Sequence, residues 1–125
     1  MSTFDGRYPY EAAVTAYGNG GFRFAEMSHK GSILCLPTGV FAWPPVDANA
    51  LSAADFEQVF ADLKPPSALL LGTGTGQIFM PEPIVRAFAS HGIALEPMST
   101  GAAARTYNIM IAEKRRIGAA LIAVA

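Results

Sequence analysis

The stretch Ala68-Leu69-Leu70-Leu71-Gly72-Thr73-Gly74-Thr75-Gly76-Gln77 constrains the fold of this chain more than any other. Four apolar residues without polar alternation, stopped by glycine, predict a short strand buried on both faces. The loop of glycine and hydroxyl residues that follows lies where an α/β protein exposes a ligand site. What comes next alternates helix and strand. Pro81 and Pro83 flank Glu82 at a helix start, where proline costs little. Ile84, Val85 and Phe88 supply that helix's buried face, and Gly92 its C′ residue. Residues 93–96 read as the next strand. Ser99 or Thr100 caps a further helix with inner face Ala103, Tyr107, Met110 and Ile111, closed by Lys114-Arg115-Arg116 against the dipole. Residues 117–124 form a last apolar strand. Strand–helix–strand crossovers place their strands parallel in one sheet.

Ahead of residue 68 the pattern is antiparallel. Runs at 13–17, 22–24, 32–36 and 40–43 are separated by turns at 18–21, 28–31 and 37–39, a meander of three or four strands. Ser52-Ala53-Ala54-Asp55 has the spacing of a capping box. Phe56, Val59, Phe60 and Leu63 then predict one buried helical stripe, ended by Lys64-Pro65-Pro66. Residues 1–11 read as an arm. The expected fold is an α/β single domain with a central mixed sheet, helices packed on it and a β-rich N-terminal portion.

Composition narrows the function. A net charge of −1 without a Lys/Arg stripe argues against nucleic acid as a ligand. One cysteine and two histidines leave no internal disulfide and no metal site to build. The N-terminus lacks a signal-peptide pattern. The longest apolar stretch, 117–125, falls short of the ~20 residues of a transmembrane segment. A soluble, cytoplasmic protein is expected. Only 15% of residues are charged against 51% apolar, a lightly charged surface that favours a partner or homo-oligomer formation.

If the strands at 68–71 and 93–96 are parallel, the loops at 72–77 and 97–101 open at one sheet edge. The second loop enters a helix N-terminus, whose N–H groups favour an anion, and Arg105 adds a cation one turn on. The candidate pocket is Gly72, Thr73, Gly74, Thr75, Gln77, Ser99, Thr100, Gly101 and Arg105, for a small anion or carboxylate. Equally, the glycines serve tight turns, the hydroxyl only caps, and Arg105 pairs with Glu96 or Glu113. A P-loop is excluded, because Gln77-Ile78 follows Gly76 where Lys-Ser/Thr is needed. A dinucleotide fingerprint has its third glycine one position early, although Glu96 sits where a ribose-binding acid would. No G-x-S-x-G elbow is present. Cys35 lies in an apolar run as an inert core residue, His29 falls in a turn and His91 near a helix end, and Tyr107 reads as core with a polar tip. No catalytic residue and no cofactor follow from the residues.

A wider set of motifs carries a family resemblance. Leu70-Leu71-Gly72-Thr73-Gly74, Pro81, Gly92-Ile93, Met98-Ser99-Thr100-Gly101-Ala102-Ala103, Arg105-Thr106-Tyr107-Asn108, Glu113-Lys114-Arg115-Arg116 and Ala119-Ala120-Leu121-Ile122 resemble the Mth-type domain of unknown function. Gly21-Phe22-Arg23-Phe24, Gly31-Ser32-Ile33-Leu34 and Trp43 extend the likeness over nearly the whole chain. The resemblance implies a three-layer α/β fold over residues 12–125. Its eukaryotic members include mitochondrial complex I assembly factor 3 and an adipogenesis-associated protein. That implies a non-enzymatic accessory or protein-binding role, with respiratory complex I assembly as the partner process. It transfers no catalytic residue. Relatives often carry Cys where this chain has Ala104, which counts against cysteine chemistry at that helix. Lack of a transit peptide points to a bacterial-type member. The alternative is a small-molecule binding protein or enzyme using the pocket between loops 72–77 and 97–101.

Overall fold

The computed structural model describes residues 4–125. Among these residues, nine strands form two sheets and three α-helices accompany them. β1 (Arg7–Tyr8), β5 (Ser32–Leu36), β6 (Gly39–Trp43), β7 (Ala68–Gly72), β8 (Ala94–Met98) and β9 (Ile117–Leu121) form a six-stranded sheet in the order β1-β6-β5-β9-β7-β8. β7 runs parallel to β8 and β9, while β5 pairs antiparallel with β9 and β6, so the sheet is mixed. β2 (Val14–Gly18), β3 (Gly21–Phe24) and β4 (Met27–Lys30) form a separate antiparallel sheet. Within residues 1–11, read from sequence as an arm, β1 pairs with β6 at the sheet edge.

Three layers result because the central strands bury both faces. Leu69 and Leu71 enter one core with Leu34, Leu36, Phe56, Val59, Ile84 and Phe88. That core lies beneath α1 (Glu57–Phe60) and α2 (Glu82–Ser90). Leu70 enters the opposite core with Ile33, Cys35, Phe22, Phe24, Ala103 and Tyr107, beneath the small sheet and α3 (Thr100–Ala112). Two apolar faces explain why these strands are runs of Leu, Ile and Ala without polar alternation. Trp43 is buried and its Nε1 donates to Asp55 O at 2.9 Å.

Local chemistry sets the element ends. α2 closes as a Schellman motif: Gly92 sits at φ +67°, Ile93 N–H donates to Phe88 O and Gly92 N–H to Ala89 O, both at 3.1 Å. Ser52 N–H donates to Asp55 Oδ2 at 2.8 Å, as the capping-box spacing predicts.

Several expectations need correction. The helix expected through Leu63 is a 3-10 turn, Ala53–Phe56, followed only by the single turn of α1, and Leu63 is 93% exposed. Pro65 and Pro66 cannot donate N–H groups and bias the residues before them away from helical dihedrals. The segment instead ties to the sheet where Thr38 Oγ1 donates to Asp62 Oδ1. Residues 28–30, read as a turn, belong to strand β4, paired with β3 from Phe24↔Met27 to Gly21↔Lys30. Val85, expected on the buried face of α2, is 48% exposed. Met110 and Ile111 are half-buried on α3.

Candidate functional site

β7 leads into α2 on one face of the sheet, and β8 leads into α3 on the other. Adjacent strands whose connections leave toward opposite faces open a crevice between their C-terminal ends. The loops at 72–77 and 97–101 meet there. Thr100 N–H donates to Gly74 O at 2.8 Å, and Thr73 N–H to Met98 O at 2.9 Å.

The chain's own groups fill this crevice. Thr100 is fully buried, and its hydroxyl donates to Ile122 O at 2.7 Å while accepting from Gly74 N–H at 3.0 Å. Thr73 Oγ1 lies 2.5 Å from Gly76 O and 3.1 Å from Met98 O, and accepts from Ile78 N–H at 3.1 Å. Gln77 Nε2 donates to Pro97 O at 2.8 Å. Ser99 Oγ accepts from Ala102 N–H at 3.3 Å as the α3 cap, and Ser99 O accepts from Ala103 N–H at 2.9 Å. Three of the first N–H groups of α3 therefore already have acceptors, which removes much of their pull on an anion. Thr75 is exposed.

Gly72 fits because α3 starts directly over it. A Cβ there would lie 2.9 Å from Thr100 Cα and 3.0 Å from Leu121 Cδ2. Gly72→Ala is expected to destabilise the chain by about 1–3 kcal/mol through this clash. An unchanged urea midpoint would contradict the close packing.

Arg105 does not meet Glu96 or Glu113 through a hydrogen bond or ion pair among the described residues. Its Nη1 donates to the Tyr17 hydroxyl at 3.2 Å, and this pair covers Gly101, where a Cβ would fall 2.4 Å from that hydroxyl. Asn108 acts about one turn further along the same helix, toward the same strand: Oδ1 accepts from Val14 N–H and Nδ2 donates to Val14 O, each at 2.8 Å. The amide thus pairs with β2 as a neighbouring strand would. Arg105 and Asn108 together fasten the small sheet to α3. The sequence separations, 88 and 94 residues, hide these contacts from any local pattern.

The remaining reactive groups are quiet. Cys35 is fully buried, and desolvation pushes its thiol up to about 12. At pH 8 the thiolate fraction is then about one in ten thousand, so a disulfide reagent should label Cys35 only after unfolding. Rapid labelling of the native chain would contradict this burial. Tyr107 is fully buried and its hydroxyl has no hydrogen-bond partner among the described residues. Burial, then the nearby Cys35 and Glu11, raise its pKa far above the ordinary tyrosine value. Tyr107→Phe should therefore be neutral or stabilising by up to ~1 kcal/mol, because it removes an unpaired buried polar group. A lower urea midpoint would instead mean that the hydroxyl has a partner. Among the described residues, no group of three or more His, Cys, Asp or Glu is placed to hold a metal.

One surface feature escaped the sequence reading. Beside β8, the free edge of the large sheet, lies a cavity of about 510 Å³ lined by Phe79, Met80, Val85, Phe88, Leu95 and Pro97 among others. Phe79 is 75% exposed there. Among the described residues no helix is long and apolar enough to cross a membrane.

Known proteins share this fold. A Rhodobacter capsulatus protein of uncharacterised function is 37% identical over 109 residues, covering 87% of this chain and 82% of the relative. The mouse NADH dehydrogenase [ubiquinone] 1 alpha subcomplex assembly factor 3 is 27% identical over 123 residues, 98% of this chain but 66% of its own length. Among solved structures, an outer membrane protein of Bartonella henselae has a TM-score of 0.90 at 40% identity, covering 94% of this chain and 99% of that one. A Mth938-like domain of Bordetella pertussis has a TM-score of 0.79 at 29% identity, covering 98% and 92%. The sequence pattern described as "protein of unknown function (DUF498/DUF598)" matches residues 14–122. With that match over most of its length, and a Mth938-like fold around it, the chain belongs to the DUF498/DUF598 family of Mth-type domains.

Proposed function

We propose that this chain is a non-enzymatic accessory domain that binds another protein, on the cytoplasmic side, during assembly of respiratory complex I. The observation that carries the reading is the likeness to a complex I assembly factor along 98% of this chain. Two structural features support it. The crevice at the ends of β7 and β8 is occupied by internal hydrogen bonds. The groove beside β8 presents exposed apolar groups to a partner. Crosslinked affinity capture of the tagged chain from its native cell should enrich complex I subunits. The enrichment should be lost in a Phe79→Lys/Val85→Lys variant that melts normally. Capture that consistently yields no respiratory subunit, or that is indifferent to the variant, overturns the reading.

A second reading is a pocket for a small anion or carboxylate between loops 72–77 and 97–101. The observation favouring it is the position of both loops where β7 and β8 send their connections to opposite faces. On this reading phosphate or acetate raises the melting temperature of the native chain, and Arg105→Ala abolishes the rise. No rise with either ion removes it.

A further inference from the structure

The outer face of the small sheet carries a feature that neither reading uses. A cavity of about 330 Å³ is lined by Gly18, Asn19, Arg23, Ser28, His29 and Lys30 among others. Register places these groups together. Arg23 pairs with Ser28, and Gly21 pairs with both Gly18 and Lys30. Residues paired across strands share a face, and residues two apart on one strand share it as well, so Arg23, Ser28 and Lys30 project on the same side. Gly18 leaves space open beside the two cations, since a Cβ there would meet nothing within 4 Å, whereas one on Gly21 would strike His29 O.

The charges in this cavity are one-sided. Arg23 and Lys30 stand at diagonal positions on neighbouring strands, within reach of one another through long side chains. Neither has a carboxylate partner among the described residues, where the one ion pair joins Arg86 to Glu82. Their neutral contacts are modest: Arg23 Nε to Ser28 Oγ at 3.4 Å and Lys30 Nζ to Asn19 O at 3.2 Å. Desolvation lowers the pKa of His29, so at neutral pH the positive charge comes from Arg23 and Lys30. Two cations without a carboxylate partner on one face repel each other unless an anion joins them.

We infer that this face is a binding site for a phosphoryl group, held by the Arg23 guanidinium, the Lys30 ammonium and the Ser28 hydroxyl. The planar guanidinium can grip two oxygens, the ammonium neutralises the second charge, and the hydroxyl donates to the third oxygen. A carboxylate offers only two oxygens and one charge, and fits the set less fully. Phosphoryl groups reach such a face from soluble phosphomonoesters or from anionic lipid headgroups.

The test titrates the isotopically labelled full chain with inorganic phosphate and with glycerol 3-phosphate at constant ionic strength, following amide resonances. Shifts should concentrate at residues 16–23 and 28–30. An Arg23→Gln/Lys30→Gln variant, with both positions exposed and its melting temperature checked, should bind at least about tenfold more weakly, as expected on losing charge-assisted hydrogen bonds. An Arg115→Gln/Arg116→Gln variant removes the same charge elsewhere and should bind as the native chain does. Sedimentation with phosphatidic acid vesicles, whose headgroup is a phosphomonoester, compared with phosphatidylcholine vesicles, separates the sources. Vesicle binding that the Arg23/Lys30 variant loses assigns a lipid headgroup, and phosphate binding alone assigns a soluble ester. Binding in neither arm, or equal loss in the two double variants, overturns the site.

Discussion

Thr100→Val is expected to destabilise the chain by about 2–4 kcal/mol, because one isosteric change strands a buried carbonyl and a half-buried N–H. Valine keeps the volume of threonine, so no cavity forms and the loss is almost wholly polar. Ile122 O would lose its 2.7 Å donor in the buried interior, and Gly74 N–H its 3.0 Å acceptor at a half-buried position. Thr100→Ser keeps the hydroxyl and should cost only the methyl group, about 1 kcal/mol. Urea unfolding of the two variants separates these terms through the midpoint at an unchanged slope. Equal losses for Val and Ser would mean that the hydroxyl contributes nothing and packing everything. Tyr107 makes the contrast: of two buried hydroxyls on the same helix, the one with two partners should be costly to delete, and the one with no partner among the described residues should be neutral or favourable to delete.

Phe88→Ala should cost about 3–5 kcal/mol, the range for deleting a buried phenylalanine. Phe88 is 1% exposed and stands between two rings, with Phe56 at 5.0 Å and Phe60 at 4.8 Å, both edge-on. Alanine removes the ring on which Phe56 and Phe60 pack, and with it much of the aromatic contact between α2 and the segment 53–60. Phe88→Leu should lose much less, since it fills most of the volume and forfeits mainly the edge-to-face geometry. A urea midpoint for Phe88→Ala within 1 kcal/mol of the native chain would show that α2 is not anchored here. Because Phe88 also lines the groove beside β8, the alanine variant should weaken partner capture as well.

Legibility in the sequence followed the range of the interaction. The run 68–71, the glycine after it, the Gly92 stop and the Ser99 cap are decided by neighbours within a few residues, and each is found in the structure. Strand β4 was hidden for a physical reason. Its sequence, Met-Ser-His-Lys, is polar because its outer face meets solvent, and its hairpin turn uses Ala25 and Glu26 at φ +47° and +62°. Non-glycine residues in the left-handed region give no turn signal of the kind that Asn19-Gly20 gives. The helix before Pro65 was over-read because Leu63 has the right spacing. Spacing alone does not say that a partner surface lies beneath it, and none does. At the crevice, the sequence brought the right residues to the same edge but could not tell a hydroxyl facing a ligand from one bonded to a carbonyl 22 residues away. Arg105 is the same case, since its partner Tyr17 comes from the other end of the chain.

The ends of β7 and β8 are closed by the chain's own hydrogen bonds, and the proposed role through the surface depends on that closure. Native-state hydrogen exchange at the amides of Gly74, Ile78 and Thr100 measures it directly. Closed, these amides exchange only through large-scale unfolding, with protection approaching that of the Leu70 and Leu71 amides in the central strand. Exchange as fast as at the exposed Thr75, slowed on adding phosphate or acetate, would contradict it and would mark the crevice as an open ligand site.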